Sequence, residues 1–161
     1  MLETNFSSLN SLKHVDINTT PLTSSSLNSL PLGLERVRLV KLESINDQDF
    51  TTFIQGREEI LKSLAIIRCL RFKGNIVNLL KSLEHLEQLE LVGENINDKS
   101  VEGLFDLPFT LKSLRLCDTQ ITEKTTHALA AGRLKVHHLD ISNNSLLTDE
   151  NIRPLLLKRH L

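Results

Sequence analysis

Residues 114–129, LRLCDTQITEKTTHAL, put a thiol (Cys117), a carboxylate (Asp118) and an imidazole (His127) close together in sequence. A thiol beside a histidine base that a carboxylate orients is the arrangement of a covalent nucleophile, and it works only with all three in hydrogen-bond reach. Two other sets of residues invite a chemical reading. His137 and His138 are adjacent imidazoles in KVHHLDI, and Asp47, Asp98 and Asp149 are acids in similar surroundings. Neighbours on a strand point to opposite faces, which makes the histidine pair a poor metal chelate. No G-x-S-x-G, Walker A or G-x-G-x-x-G motif is present. Whether the thiol, acid and imidazole meet depends on the elements that carry them.

Composition narrows the classes. A chain of 161 residues suits one domain. Hydrophobic residues make up 40%, enough for a buried core and against wholesale disorder. Aromatics are 4%, with no Trp or Tyr, so the core is aliphatic and stacking platforms for single-stranded nucleic acid are not expected. Nineteen basic and 20 acidic side chains leave a net charge of −1 and no field to attract a polyanion, so no nucleic-acid partner is expected. Two cysteines, Cys69 and Cys117, make neither a disulfide framework nor a C-x-x-C pair. Reduced thiols, no signal-peptide pattern and no long apolar run point to an intracellular, cytoplasmic protein with no membrane partner.

The leucines carry the organisation. The pattern L-x-x-L-x-L starts at 61, 86, 111 and 136, each start 25 residues after the last. Looser copies start at 34 and 12. A fixed period of this length signals an internal repeat. Three residues past the last core position comes a small or polar residue (Thr20, Cys69, Glu94, Thr119, Asn144), expected to bond backbone groups at a bend. An aliphatic follows at Leu22, Ile96, Ile121 and Leu146, with one extra residue before Ile45 and Phe72. Next come INDQD, INDKS, ITEKT and LTDEN, whose Asn, Thr or Asp can cap a helix. Acids there suit the helix dipole. Helical spacing follows, as in Val101, Leu104 and Leu107 or Ile152, Leu155 and Leu156. Asp47, Asp98 and Asp149 recur at one place, which assigns them to helix initiation, since a catalytic acid is needed once.

This pattern resembles the leucine-rich repeat family over about six units, nearly the whole chain, and is closest to its cysteine-containing and ribonuclease-inhibitor-like subclasses. Only Cys69 occupies the column where the first subclass carries cysteine, and no F-box-like helical segment precedes the units. The resemblance implies a single α/β domain over 1–161: a solenoid with a curved parallel sheet on the concave side and helices on the convex side. The first unit starts near 12 and the last stops in its helix, at RPLLLKRHL, with Pro154 expected in the first helical turn. Neither end reads as a polar capping unit. The expectation is therefore a fragment of a longer protein, or association through the first and last units, beside the plainer reading of a small protein with frayed ends.

Register sorts the side chains. Leu114 and Leu116 belong to the core, Cys117 to the sheet face, Asp118 to the bend and His127 to the helix. A layer of about 10 Å then separates Cys117 from His127, and the triad dissolves. His14 and His138 share a column but stand about 25 Å apart, too far for a shared metal. On the sheet face one column reads Asp16, Arg38, Ala65, Glu90, Arg115, Asp140. The next reads Asn18, Val40, Ile67, Val92, Cys117, Ser142. Its middle four members form an apolar strip, expected to be exposed, flanked by Arg36, Arg38, Arg68, Gln88, Glu90 and Arg115. An exposed apolar strip with charged edges suits a protein interface. The plainer reading is that β-branched residues favour strands and shield one another.

The function expected from the sequence is a non-catalytic module that binds another protein through the concave face. Val40, Ile67, Val92 and Cys117 would supply the strip, and Arg38, Arg68, Glu90, Arg115 and Asp140 the charged rim. No catalytic residue, metal or cofactor is expected. Other classes stay open: a structural subunit held in a larger complex by its uncapped ends, or a regulator of an enzyme such as a GTPase. A bacterial effector acting on host proteins is also compatible.

Overall fold

Each L-x-x-L-x-L motif places its last two apolar positions two residues apart, the spacing that sends both to one face of a strand. In the computed structural model, which describes residues 6–73 and 76–157, these positions lie in strands, except Ile141 just past the last strand, and helices or 3₁₀ turns occupy the segments between them. The order is β1 (His14–Asn18), α1 (Ser24–Asn28), β2 (Arg36–Val40), α2 (Asp47–Ile54), β3 (Ser63–Ile67), α3 (Ile76–Leu80), β4 (Gln88–Val92), β5 (Thr110–Leu111), β6 (Ser113–Cys117), α4 (Glu123–Ala131), β7 (Lys135–Val136), β8 (Leu139–Asp140) and α5 (Asp149–Leu156). The fold is α/β. Six strands form one parallel sheet in the order β1-β2-β3-β4-β6-β8, and β5 and β7 form a short second pair.

The register follows the leucine alignment. Leu64, Leu89, Leu114 and Leu139 are successive partners, as are Val15, Val37 and Leu64. On that face Val37, Leu39, Leu64, Ile66, Leu89, Leu91, Leu114 and Leu116 are buried in one aliphatic core with the helix residues Leu27, Phe50, Phe53 and Leu129. Burial of these side chains, at about 1.5–3 kcal/mol each, is the main force holding sheet to helices. Phe50 and Phe72 meet edge to face, with centroids 4.8 Å apart. Among the described residues no helix is long and apolar enough to cross a membrane.

Side chains set the helix starts. Thr23, Asn46, Asn97, Thr122 and Thr148 each accept a backbone N–H of the turn they open. At Asn46 and Asn97 the residue three positions on, Asp49 or Ser100, returns a bond to the cap's own N–H. Two expectations are corrected here. Residues 98–106 form two 3₁₀ turns instead of an α-helix: Gly103, at φ 78°, breaks the segment, although Val101, Leu104 and Leu107 are buried as expected. Pro154 stands in the interior of α5 and not in its first turn.

The strand ends share a feature that the leucine pattern does not announce. Thr19, Lys41, Arg68, Asp118 and Asn143 all have φ between 50° and 59°, and Gly93 takes the same place with φ 139°. Left-handed φ costs an ordinary residue about 1–2 kcal/mol. It turns the chain off the sheet while one more ladder bond forms: the N–H groups of Thr19, Lys41 and Arg68 donate to Val40, Ile67 and Val92 at 2.6–2.9 Å.

Below this turn, polar residues bond the bend as expected in some places and not in others. Asn144 is buried and Thr119 is buried beneath it. Glu94, however, is exposed, and its neighbour Asn95 points inward, donating to the carbonyls of Cys69 and Phe72. Likewise Leu147, not Leu146, packs on the core, and Leu146 is 48% exposed. The expectation of uncapped ends falls partly on residues 1–5 and 158–161, which lie outside the described residues.

Candidate functional site

The face of the sheet turned away from the helices carries the side chains at alternate strand positions. Val40, Ile67, Val92 and Cys117 are successive register partners on it. The register therefore brings together the four strip residues expected from sequence, but their exposure is corrected. With Ala65 they form a second buried cluster, between 4% and 9% exposed. Neighbouring β-branched side chains at one strand spacing cover each other, so the plainer reading of the strip describes its surface.

Polar side chains dominate what this face shows to solvent. Arg38 pairs with Asp16 at 3.0 Å. Arg115 pairs with Glu90 at 2.7 Å and, through Nε, with Asp140 at 3.1 Å. Asp140 is held well below the usual carboxylate range by the hydroxyl and N–H of Ser142, and further by Cys117 and Arg115. The Asp140 hydrogen bond and the Glu90 charge raise the Arg115 guanidinium in turn. A parallel row runs just before the strands. There Glu35 pairs with Lys62 at 2.9 Å and Lys13 at 3.8 Å, and Glu87 pairs with Lys112 at 2.9 Å. Pairs this exposed add little stability, so they shape the surface more than they hold the fold.

Arg68 lies beyond the end of β3, at the left-handed turn, rather than beside the strip. Its guanidinium reaches Asp118 at 3.1 Å. The two side chains meet across Gly93, which stands between them in the turn row. A Cβ there would lie 2.6 Å from Asn95 Oδ1 and 3.3 Å from the Arg68 Cα. This pairing commits Asp118 to a cation and removes it from any relay with Cys117.

The remaining candidates separate. Burial pushes the Cys117 thiol up, and the Cys69 thiol likewise, which suppresses the nucleophilic thiolate at neutral pH. His127 Nδ1 lies 2.8 Å from the Glu123 carbonyl, on the exposed side of α4. The leucine core separates it from Cys117. His14, His137 and His138 are exposed, and among the described residues no group of three or more His, Cys, Asp or Glu could hold a metal. Asp98 does more than start a turn. Its carboxylate accepts the Thr122 N–H and the hydroxyls of Thr122 and Thr125, tying residues 98–101 to α4. Burial raises this carboxyl, but those bonds outweigh it and hold the group below its ordinary value. Asp47 accepts the Lys73 N–H in the same manner.

Arg57 escapes the sequence pattern. It is 2% exposed, and its guanidinium donates to the Phe53 and Leu30 carbonyls, 4.2 Å from the Phe53 ring centroid. Burial pushes it down to about 10, so it is still cationic at neutral pH. It closes the end of α2 and joins it to the segment after α1. An arginine in REEI, next to two glutamates, carries no signal of such burial.

Comparisons with protein-family models, with curated proteins and with solved structures find no match to this chain.

Proposed function

We propose that this chain is a leucine-rich repeat solenoid, with the parallel sheet on its concave side, that acts as a non-catalytic module and binds another protein through that sheet face. One observation carries the reading. A six-strand parallel sheet buries one face under helices, and among the described residues no element covers the other, which is studded with ordered charges. Parallel sheets ordinarily have both faces covered, so an open face of this kind is suited to a partner. The successive register and the 25-residue leucine period support the solenoid. The polar side chains, rather than the shielded strip, are the atoms a partner would meet first. Such an interface gains specificity from charge complementarity.

The test follows from burial. Glutamate at Ile67 or Val92 would bury a charge and unfold the sheet, so it cannot report on binding alone. Arg38 and Arg115 are exposed and better suited. Affinity capture with the wild-type chain and with an Arg38→Glu/Arg115→Glu variant should retain a partner in the first case and lose it in the second, at unchanged circular dichroism. A partner retained equally by both removes the open face as the interface.

A second reading, association through the last unit, is favoured by Leu156 and Leu157, which are 78% and 77% exposed. It predicts a concentration-dependent mass in light scattering that Leu156→Lys/Leu157→Lys abolishes.

A further inference from the structure

The charge row on the open face is interrupted at one place. Asp16, Arg38, Ala65, Glu90, Arg115 and Asp140 are successive register partners. Arg38 is engaged with Asp16 on one side, and Arg115 bridges Glu90 and Asp140 on the other. Between Arg38 and Glu90, Ala65 offers a single methyl group. Those two residues stand two strand spacings apart, about 10 Å, and each is turned to a partner on its other side. The result is a hollow whose polar lining is His14, Asp16, Arg36, Arg38, Ser63 and Glu90, with Ala65 between Arg38 and Glu90.

Formal charges in this hollow balance, Arg36 and Arg38 against Asp16 and Glu90, but the pairing is uneven. Both acids already hold a guanidinium, Asp16 that of Arg38 and Glu90 that of Arg115 from outside the hollow. Arg36 is exposed on the same strand and face as Arg38, and its guanidinium makes no ion pair among the described residues. Its register partners are His14 and Ser63, neither of which brings a carboxylate. One unpaired guanidinium beside a hydroxyl, over a floor lowered by alanine, suits a monoanion. A dianionic phosphate would face Asp16 and Glu90 on both flanks. The planar fork of Arg36 matches a carboxylate in two parallel hydrogen bonds.

We propose that this hollow receives the side-chain carboxylate of an aspartate or glutamate from the partner polypeptide, held by Arg36 with the Ser63 hydroxyl and Arg38 beside it. The inference rests on the reading that the open face binds protein, and it adds the chemistry of the anchoring residue.

Selection of random linear peptides on the immobilised chain tests it. Selected peptides are then synthesised with acetylated and amidated ends, so that no terminal carboxylate competes. Fluorescence anisotropy should show one acidic position whose change to the amide weakens binding about tenfold or more, the usual size of a hydrogen bond to a charged group. Arg36→Gln should weaken the acidic peptide by a similar factor and abolish the difference between acid and amide. Arg36 is exposed and unpaired, so this variant should keep the wild-type melting transition. Failure to select any peptide overturns the proposal, as do equal affinities for acid and amide or a difference that survives Arg36→Gln. Binding that ignores Arg36→Gln but is lost in Arg38→Glu/Arg115→Glu overturns this proposal and leaves the open-face reading standing. Binding indifferent to both variants overturns both.

Discussion

Asn144 offers the sharpest test of how the bends are held. Its side chain lies in a residue only 8% exposed and makes four hydrogen bonds. Oδ1 accepts the Thr119 N–H at 2.8 Å and the Thr119 hydroxyl at 2.6 Å, while Nδ2 donates to the Leu116 and Ile141 carbonyls, both at 2.7 Å. Asn144→Ala removes all four. The Thr119 hydroxyl can rotate, and the Ile141 carbonyl bond is only partly buried, so these losses are small. The Thr119 N–H and Leu116 C=O are left buried and unpaired, at about 1–3 kcal/mol each. A loss of about 3–4 kcal/mol is expected, a large share of a typical domain stability of about 5–15 kcal/mol. Asn144→Asp should cost at least as much at neutral pH, because it keeps the acceptor but sets a carboxylate against two carbonyls. Burial and those carbonyls raise the folded-state pKa of the introduced carboxyl. Part of the loss should therefore return as pH falls below that pKa and the acid becomes a donor. Urea unfolding gives the stabilities, and hydrogen exchange at Thr119 localises the effect. A loss below about 1 kcal/mol for Asn144→Ala, or an unchanged Thr119 exchange rate, would refute the reasoning.

Other outcomes follow from the same geometry. Asp98→Asn should cost about 1–2 kcal/mol, since charge-assisted bonds from Thr122 and Thr125 weaken. Because the folded-state pKa of Asp98 is depressed, its contribution is fully present above the unfolded value of about 3.9 and is lost as pH falls through the folded value. The gap between wild type and variant should close over that acid range in denaturant titrations. Arg57→Ala should lose about 3–5 kcal/mol, leaving a cavity and two orphaned carbonyls, and should appear as a lowered urea midpoint. Lys41→Gly should gain about 0.5 kcal/mol in melting experiments. Relief of left-handed strain, about 1–2 kcal/mol, exceeds the entropic cost of glycine, about 0.5–1 kcal/mol.

Much of the framework is legible in the chain because it repeats a local rule. The leucine spacing places Leu89, Leu91, Leu114 and Leu116 in the core, and the polar residues before α2, α4 and α5 cap them. Strip residues such as Val92 and Cys117 share a row because strand pairing keeps the register of the motif. Their burial is not legible, since it depends on what stands one strand away: Val92 is covered by Ile67 and Cys117 flanking it. The shift from Glu94 to Asn95 follows from the backbone at Gly93, and the 3₁₀ turns after Asp98 follow from Gly103. Both are local departures from a pattern that sequence reasoning extends uniformly.

The sequence by itself determined the side-chain alternation, the spacing of the strands and the places where helices begin, because these depend on near neighbours along the chain. Tertiary structure alone decided that Arg57 sits inside, that Arg68 reaches Asp118 over a glycine, and that Arg36 is left without an acid among the described residues. Charges find partners across space, one strand or one helix away. An ion pair or its absence is therefore a property of the register and not of the segment that carries the residue.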